Sequence, residues 1–294
     1  MKRKKSRHPL NFLKKKRVIF SALLLILFFF FHSCMNFRTS DKKTQAYFEE
    51  AGLESRITYI QPPGNNYKVR TVSTGQTKNQ TVIFIHGAPG SGDAFYEYLK
   101  DTSLLKKSRL ITYDRPGYGY SGFGRAMTGI EEQSEILADL ITRYDVRHVI
   151  LVGHSYGAPI AVYATLLSDR IDAVIMLAPA IDPEHEKYFW IGNLVRWKLT
   201  RWLVPRSWRV SADEKYTHEA ELIKLKDRWK EVAVPVLCLQ GNKDRLVPYE
   251  NLAFCKKHFD PQYFTGITLE EEDHFIPWTR KELVIEEIMK FLKK

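Results

Sequence analysis

The chain has 294 residues, 44% of them hydrophobic and 13% aromatic, which is enough for one sizeable core and too apolar for a disordered protein. Its formal charge of +11 at pH 7 invites a nucleic-acid reading, but nine of those charges lie in residues 1–17, which hold no acid. The remainder is nearly neutral, so a nucleic-acid partner is excluded.

Directly after the basic block comes "VIFSALLLILFFFF", Val18 to Phe31, uncharged and apolar. As a helix these residues would rise roughly 21 Å, short of the roughly 30 Å hydrocarbon core of a bilayer. Residues 1–34 therefore read as a signal or membrane-anchor segment, cleaved, lipid-anchored or kept as a signal anchor. The basic end is then cytoplasmic, the rest of the chain is exported, and a membrane is an expected partner. Residues 35–54 are polar and charged and read as a linker carrying a short helix.

From residue 55 the pattern becomes regular. "YKVRTVSTG" alternates, as an antiparallel strand does, while "TVIFIHG", "RLITYDRPG", "HVILVGHS", "DAVIMLAPA" and "VPVLCLQGNKD" are short apolar runs that each end in a turn. Continuous runs of this kind suit strands buried on both faces of a parallel sheet. Helical patterns such as "IEEQSEILADLITRYD" and "GAPIAVYATLLSD" alternate with them. The expected class is α/β: a mostly parallel central sheet flanked by helices, built from residues 55–182 and 231–294. Residues 183–230 interrupt that rhythm with five tryptophans, too aromatic for a solvated loop. Within them "FWIGNLVRWKLTRWL" places Trp190, Leu194 and Trp197 on one side of an amphipathic helix. Cys238, in an apolar run, and Cys255, in a helical pattern, read as two buried free thiols, with one disulfide between them as the alternative; neither has metal-site spacing.

"LVGHSYGAPI" sets Ser155 between Gly153 and Gly157 where a strand turns sharply into a helix. A nucleophilic hydroxyl needs such exposure, with a base, an orienting acid and donors for an oxyanion. "HGAPG" (His86 to Gly90) and "YDRPGYGYSG" (Tyr113 to Gly122) each follow an earlier strand. "LCLQGNKDRLVP" puts Asp244 in the turn after a later one, and "EEEDHFIPW" puts His274 in a loop before the last helical pattern.

These motifs, in this order, resemble the α/β-hydrolase superfamily over nearly the whole chain after residue 55. The resemblance implies a triad of Ser155, Asp244 and His274, with Asp213 and Asp182 as poorer candidates for the acid. It implies an oxyanion hole from the backbone N–H groups of Ala88 and Tyr156, and a helical lid at 183–230. Neither metal nor organic cofactor is expected. Asp273 stands where many relatives carry glycine, which would crowd the turn slightly. His86 is expected to tie down the oxyanion loop and His154 to pack or line the pocket, while His148, His185, His218 and His258 read as surface or packing residues. Cys34, just past the apolar run, resembles the lipid-modified cysteine of bacterial lipoproteins.

The implied activity is acyl transfer, as a carboxylic ester hydrolase on small or lipid-like acyl esters at a membrane surface. A serine at the nucleophile position argues against dehalogenase and epoxide hydrolase chemistry, which use aspartate there. A proline-type aminopeptidase, a carbon–carbon bond hydrolase, a cofactor-free perhydrolase and a non-enzymatic, hydrolase-like binding protein remain alternatives. Between Lys187 and Arg209 the lid carries six cations and no acid. Its tryptophans either pack on the core beneath solvated cations or face anionic lipid.

Overall fold

The computed structural model describes residues 9–76, 79–188 and 190–292, so residues 1–8 of the expected anchor segment lie outside the described residues. Helix α1 (Pro9–Cys34) contains the apolar run, and α2 (Asp41–Glu50) follows it. Among the described residues no helix is long and apolar enough to cross a membrane.

Eight strands form one sheet in the order β1-β2-β4-β3-β5-β6-β7-β8. They are β1 (Ser55–Ile60), β2 (Val69–Thr74), β3 (Thr81–Ile85), β4 (Arg109–Tyr113), β5 (Val149–His154), β6 (Ile171–Leu177), β7 (Val236–Gly241) and β8 (Phe264–Leu269). The first two pair antiparallel, β2 meets β4 antiparallel, and every later pairing is parallel. Every residue of β3, β4 and β5 is buried, which is why these runs carry apolar residues without a polar alternate. Successive side chains point to opposite faces. Ile83, Ile85, Val149 and Leu151 accordingly enter one core, and Val82, Phe84, Ile150 and Val152 enter the other.

The first core is covered by α5 (Ile130–Arg143), α6 (Gly157–Ala164) and α10 (Glu250–His258); the second by α3 (Tyr96–Leu99), α4 (Thr102–Lys107), α11 (Ile276–Thr279) and α12 (Lys281–Phe291). In α5, Ile130, Gln133, Leu137, Leu140 and Ile141 lie on the buried face at helical spacing. Cys238 and Cys255 are buried free thiols.

Two stretches differ from their sequence reading. Residues 41–50 belong to the body of the protein and not to a loose linker. Phe48 is fully buried, Thr44 meets the Tyr96 hydroxyl at 3.0 Å, and Arg70 reaches Asp41 at 2.7 Å. The amphipathic helix expected around Trp197 is broken there: Trp197 has extended backbone between α7 (Ile191–Arg196) and α8 (Lys198–Arg201). On either side of the break Val195 and Val204 point inward at 2% and 4% exposure, whereas Trp190 and Trp197 face out at 75% and 68%. The long helix α9 (Arg206–Leu225) then returns to the core through Val210, Leu222 and Leu225.

Candidate active site

Ser155 occupies the turn between β5 and α6 with φ = +52°, a left-handed conformation costly for a residue with a Cβ. Its neighbours permit the turn. A Cβ on Gly153 would stand 2.6 Å from the Gly157 carbonyl oxygen, and one on Gly157 would stand 2.5 Å from that of Ile85, both impossible approaches. The strained conformation is held from the backbone: the Ser155 N–H donates to the Leu177 carbonyl, and its own carbonyl accepts from Ala158 and Ala180.

Asp244 lies just after β7. Its Oδ1 accepts from the N–H groups of Leu246 and Val247, each at 2.8 Å, which fixes the carboxylate plane. Oδ2 faces His274 Nδ1 at 2.7 Å, with side-chain exposures of 0% for the acid and 8% for the histidine. A carboxylate can only accept, so Nδ1 carries the proton and Nε2 keeps its lone pair. Asp213 and Asp182 are engaged elsewhere: Asp213 pairs with Arg201, and Asp182 holds His185 and the N–H of Glu184.

The loop that carries His274 is fastened to the turn of Asp244 by two bonds. Lys243 N–H donates to the Glu272 carbonyl, and Glu271 N–H donates to Asn242 Oδ1. Left-handed backbone falls at Glu271 (φ = +60°) rather than at Asp273. Asp273 instead accepts the N–H of Phe275 at 2.8 Å, so an aspartate fits the turn without crowding it. His154 supplies a tether absent from the sequence reading: its Nε2–H donates to the His274 carbonyl at 3.0 Å, linking the residue beside Ser155 to the loop that carries His274.

His86 donates from Nδ1 to the Gly87 carbonyl at 2.7 Å, leaving Nε2 to accept the N–H of Arg115 at 2.9 Å. The Arg115 side chain then binds the carbonyls of His86 and Gly87, so the loop bearing Ala88 hangs from a fully buried guanidinium. On its far side Arg115 pairs with Glu214 of α9 at 2.7 Å, and Glu214 also accepts from the Tyr118 hydroxyl at 2.6 Å and from Gln133. The long helix α9 of the 183–230 segment is thereby joined to the loop bearing Ala88 through a buried ion pair. Nothing in the sequence marks it, because Arg115 and Glu214 lie 99 positions apart. Of the remaining histidines, His218 is buried against the Tyr156 ring, His148 meets Asp172, and His258 stacks on Phe254.

Burial and its neighbour His274 hold the His154 imidazolium down to a pKa of about 3, and burial with Arg115 holds His86 well below its ordinary value. Both rings are neutral when folded but titrate near 6.5 when unfolded. For His154 this stabilisation is complete above pH 6.5 and is lost as pH falls through the window down to about 3, and His86 loses its own in the same direction. His154 alone costs about 1.4 kcal/mol per pH unit, or about 2 kcal/mol at pH 5. Urea unfolding at pH 7 and pH 5 should show a drop, and His154→Gln should make it smaller by about 2 kcal/mol, leaving the shares of His86 and His218, which burial lowers as well. A slope unchanged by that substitution removes His154 from the account.

Residues 80–201 match the family model described as the alpha/beta hydrolase fold. A Mycoplasma genitalium protein named as an esterase/lipase is 33% identical over 125 residues, covering 40% of this chain and 43% of the relative, so the match spans under half of that relative's length. Among solved structures, an esterase from Exiguobacterium antarcticum superposes with a TM-score of 0.63 at 20% identity, covering 81% of this chain and 99% of its own. A membrane phospholipase A superposes with a TM-score of 0.62 at 18% identity, covering 96% of this chain and 97% of its own. Sheet order, elbow, matched family model and superposed structures agree: this chain has the α/β-hydrolase fold.

Proposed function

We propose that the chain is a serine hydrolase acting by acyl transfer on carboxylic esters with small or lipid-like acyl groups at a membrane surface. One observation carries the reading: a serine held at positive φ on the elbow, with a histidine locked by Asp244 into the tautomer that leaves Nε2 free to accept a proton. Ser155 Oγ attacks the ester carbonyl while His274 Nε2 takes its proton, and Asp244 stabilises the imidazolium that results. The tetrahedral oxyanion is received by the N–H groups of Ala88 and Tyr156, each worth on the order of 10²–10³ in rate. His274 returns the proton to the departing alcohol, and water repeats the sequence to free the acid and restore Ser155.

The esterase and phospholipase names among the similar proteins support ester substrates. The phospholipase superposes over 96% of this chain where the Exiguobacterium esterase reaches 81%, which, with the apolar α1, supports work at a membrane. The deciding experiment offers p-nitrophenyl esters of graded acyl length to the full chain and to Ser155→Ala, with a fluorophosphonate probe alongside. Turnover and labelling that vanish together in the variant are expected, and the best chain length then sizes the acyl site. Labelling without ester turnover moves the reading to peptide or carbon–carbon substrates, and neither moves it to a binding protein.

A further inference from the structure

The helical segment over the site already buries an inner face. Val195, Val204, Val210 and Leu222 are each under 5% exposed, and Trp229 is fully buried. The residues left outside are nonetheless bulky and apolar: Trp190 at 75%, Trp197 at 68%, Leu199 at 80% and Trp202 at 59% exposure. Four bulky apolar side chains within thirteen positions exceed what scattered surface hydrophobes explain. Between them stand Arg196 and Lys198, both exposed. Arg201 is committed to Asp213, and Arg209 to the carbonyls of Trp202 and Val204. No acid falls between residues 187 and 209.

This face is continuous with α1. The Phe28 ring lies 6.1 Å from that of Trp202, His32 Nε2–H donates to the Leu203 carbonyl at 2.8 Å, and Ser207 Oγ donates to the Asn36 carbonyl at 2.6 Å. Ile19, Phe20, Ile26, Phe29 and Phe30 of α1 are each 60% exposed or more. Two apolar surfaces far apart in sequence thus meet at Trp202.

We infer that the outer face of residues 190–203 and the adjoining apolar flank of α1 form one surface that lies on an anionic lipid bilayer. Tryptophan favours the boundary between acyl chains and head groups, where the ring is dry and its N–H stays wet. Arg196 and Lys198 among the rings match anionic head groups. A second copy of the chain would instead bring cation against cation. The inference rests on the proposed membrane-surface activity and adds which part of the protein meets the lipid: the helical cover of the site itself. Lipid contact and access to Ser155 then belong to one segment.

Because α1 contains no tryptophan, immersion of this face can be read separately from anchoring. The full chain is mixed with vesicles of phosphatidylcholine and phosphatidylglycerol whose acyl chains carry bromine, and tryptophan quenching is measured. Quenching is expected in the wild type and in Trp278→Phe, and most of it should be lost when Trp190, Trp197 and Trp202 are all phenylalanine. Arg196→Glu with Lys198→Glu should weaken it on these vesicles and leave it unchanged on phosphatidylcholine alone. Absent quenching, or quenching kept by the triple variant, overturns the inference. So does sedimentation as a dimer with these tryptophans shielded, which assigns the face to a second copy. A soluble short ester assayed on the same samples separates the two readings. Turnover without quenching removes only the lipid surface, and quenching without turnover removes only the activity. Retained turnover by the triple variant shows that it folds.

Discussion

Alanine at Ser155, alanine at His274, and both together will each lower kcat for an ester by about the same factor, on the order of 10⁶. The equality follows from the roles. Without the base, the hydroxyl is a poor nucleophile, and without the hydroxyl, a free Nε2 has no proton to take, so the second loss finds nothing left to remove. Asp244→Asn should cost less, about 10⁴, by a different route. Oδ2 now accepts the Nδ1–H at 2.7 Å, whereas an amide NH₂ turned to that position donates and forces the proton onto Nε2. The backbone donors at Leu246 and Val247 still hold the remaining oxygen, so the turn keeps its shape and the loss reports the tautomer. Steady-state kcat on a p-nitrophenyl ester, with circular dichroism to show that each variant folds, measures all four. Factors that multiply in the double variant would mean that Ser155 and His274 do not act in one proton transfer.

The elbow was legible in the sequence because its constraint is local. Gly153 and Gly157 are demanded by atoms four and five positions away or on and just after the adjoining strand, and the apolar run before Ser155 announces a strand buried on both faces. The turn of Asp244 could be read for the same reason: its carboxylate is pinned by N–H groups two and three residues on. Burial against partners distant in sequence left no such mark. Residues 41–50 read as polar because α2 shows solvent most of its length, and only Thr44 and Phe48, four positions apart, turn inward. The break at Trp197 escaped because helical periodicity places Trp190, Leu194 and Trp197 on one stripe whether or not the helix continues. What decided the break was the inward demand of Val195 and Val204, which no straight helix could satisfy with the tryptophans buried as well.

Glu214→Ala will destabilise the protein by about 3–5 kcal/mol, although residue 214 touches none of the triad. Removing the carboxylate strands the Arg115 guanidinium at 0% exposure, where its charge loses a partner at 2.7 Å and gains no water. The Tyr118 hydroxyl and the Gln133 amide lose an acceptor in the same stroke. Glu214→Gln keeps an acceptor for Tyr118 while removing the charge, so it should fall between wild type and alanine. Urea unfolding at pH 7 measures both. The same Arg115 supports the carbonyls of His86 and Gly87, so a guanidinium that relaxes toward solvent lets the Ala88 N–H drift from the position it must hold for the oxyanion. Activity should therefore fall through kcat, with KM little changed, because the interaction lost is one made in the transition state. Arg115→Met combined with Glu214→Leu separates the two consequences. An apolar pair of similar volume removes the stranded charge and should recover most of the stability. It offers no donor to His86 and Gly87, so kcat should stay low. If kcat returned with stability, Arg115 would be a fastening between helix and sheet alone; if kcat stays low in a stable protein, the helix over the site holds the oxyanion loop in register through this pair.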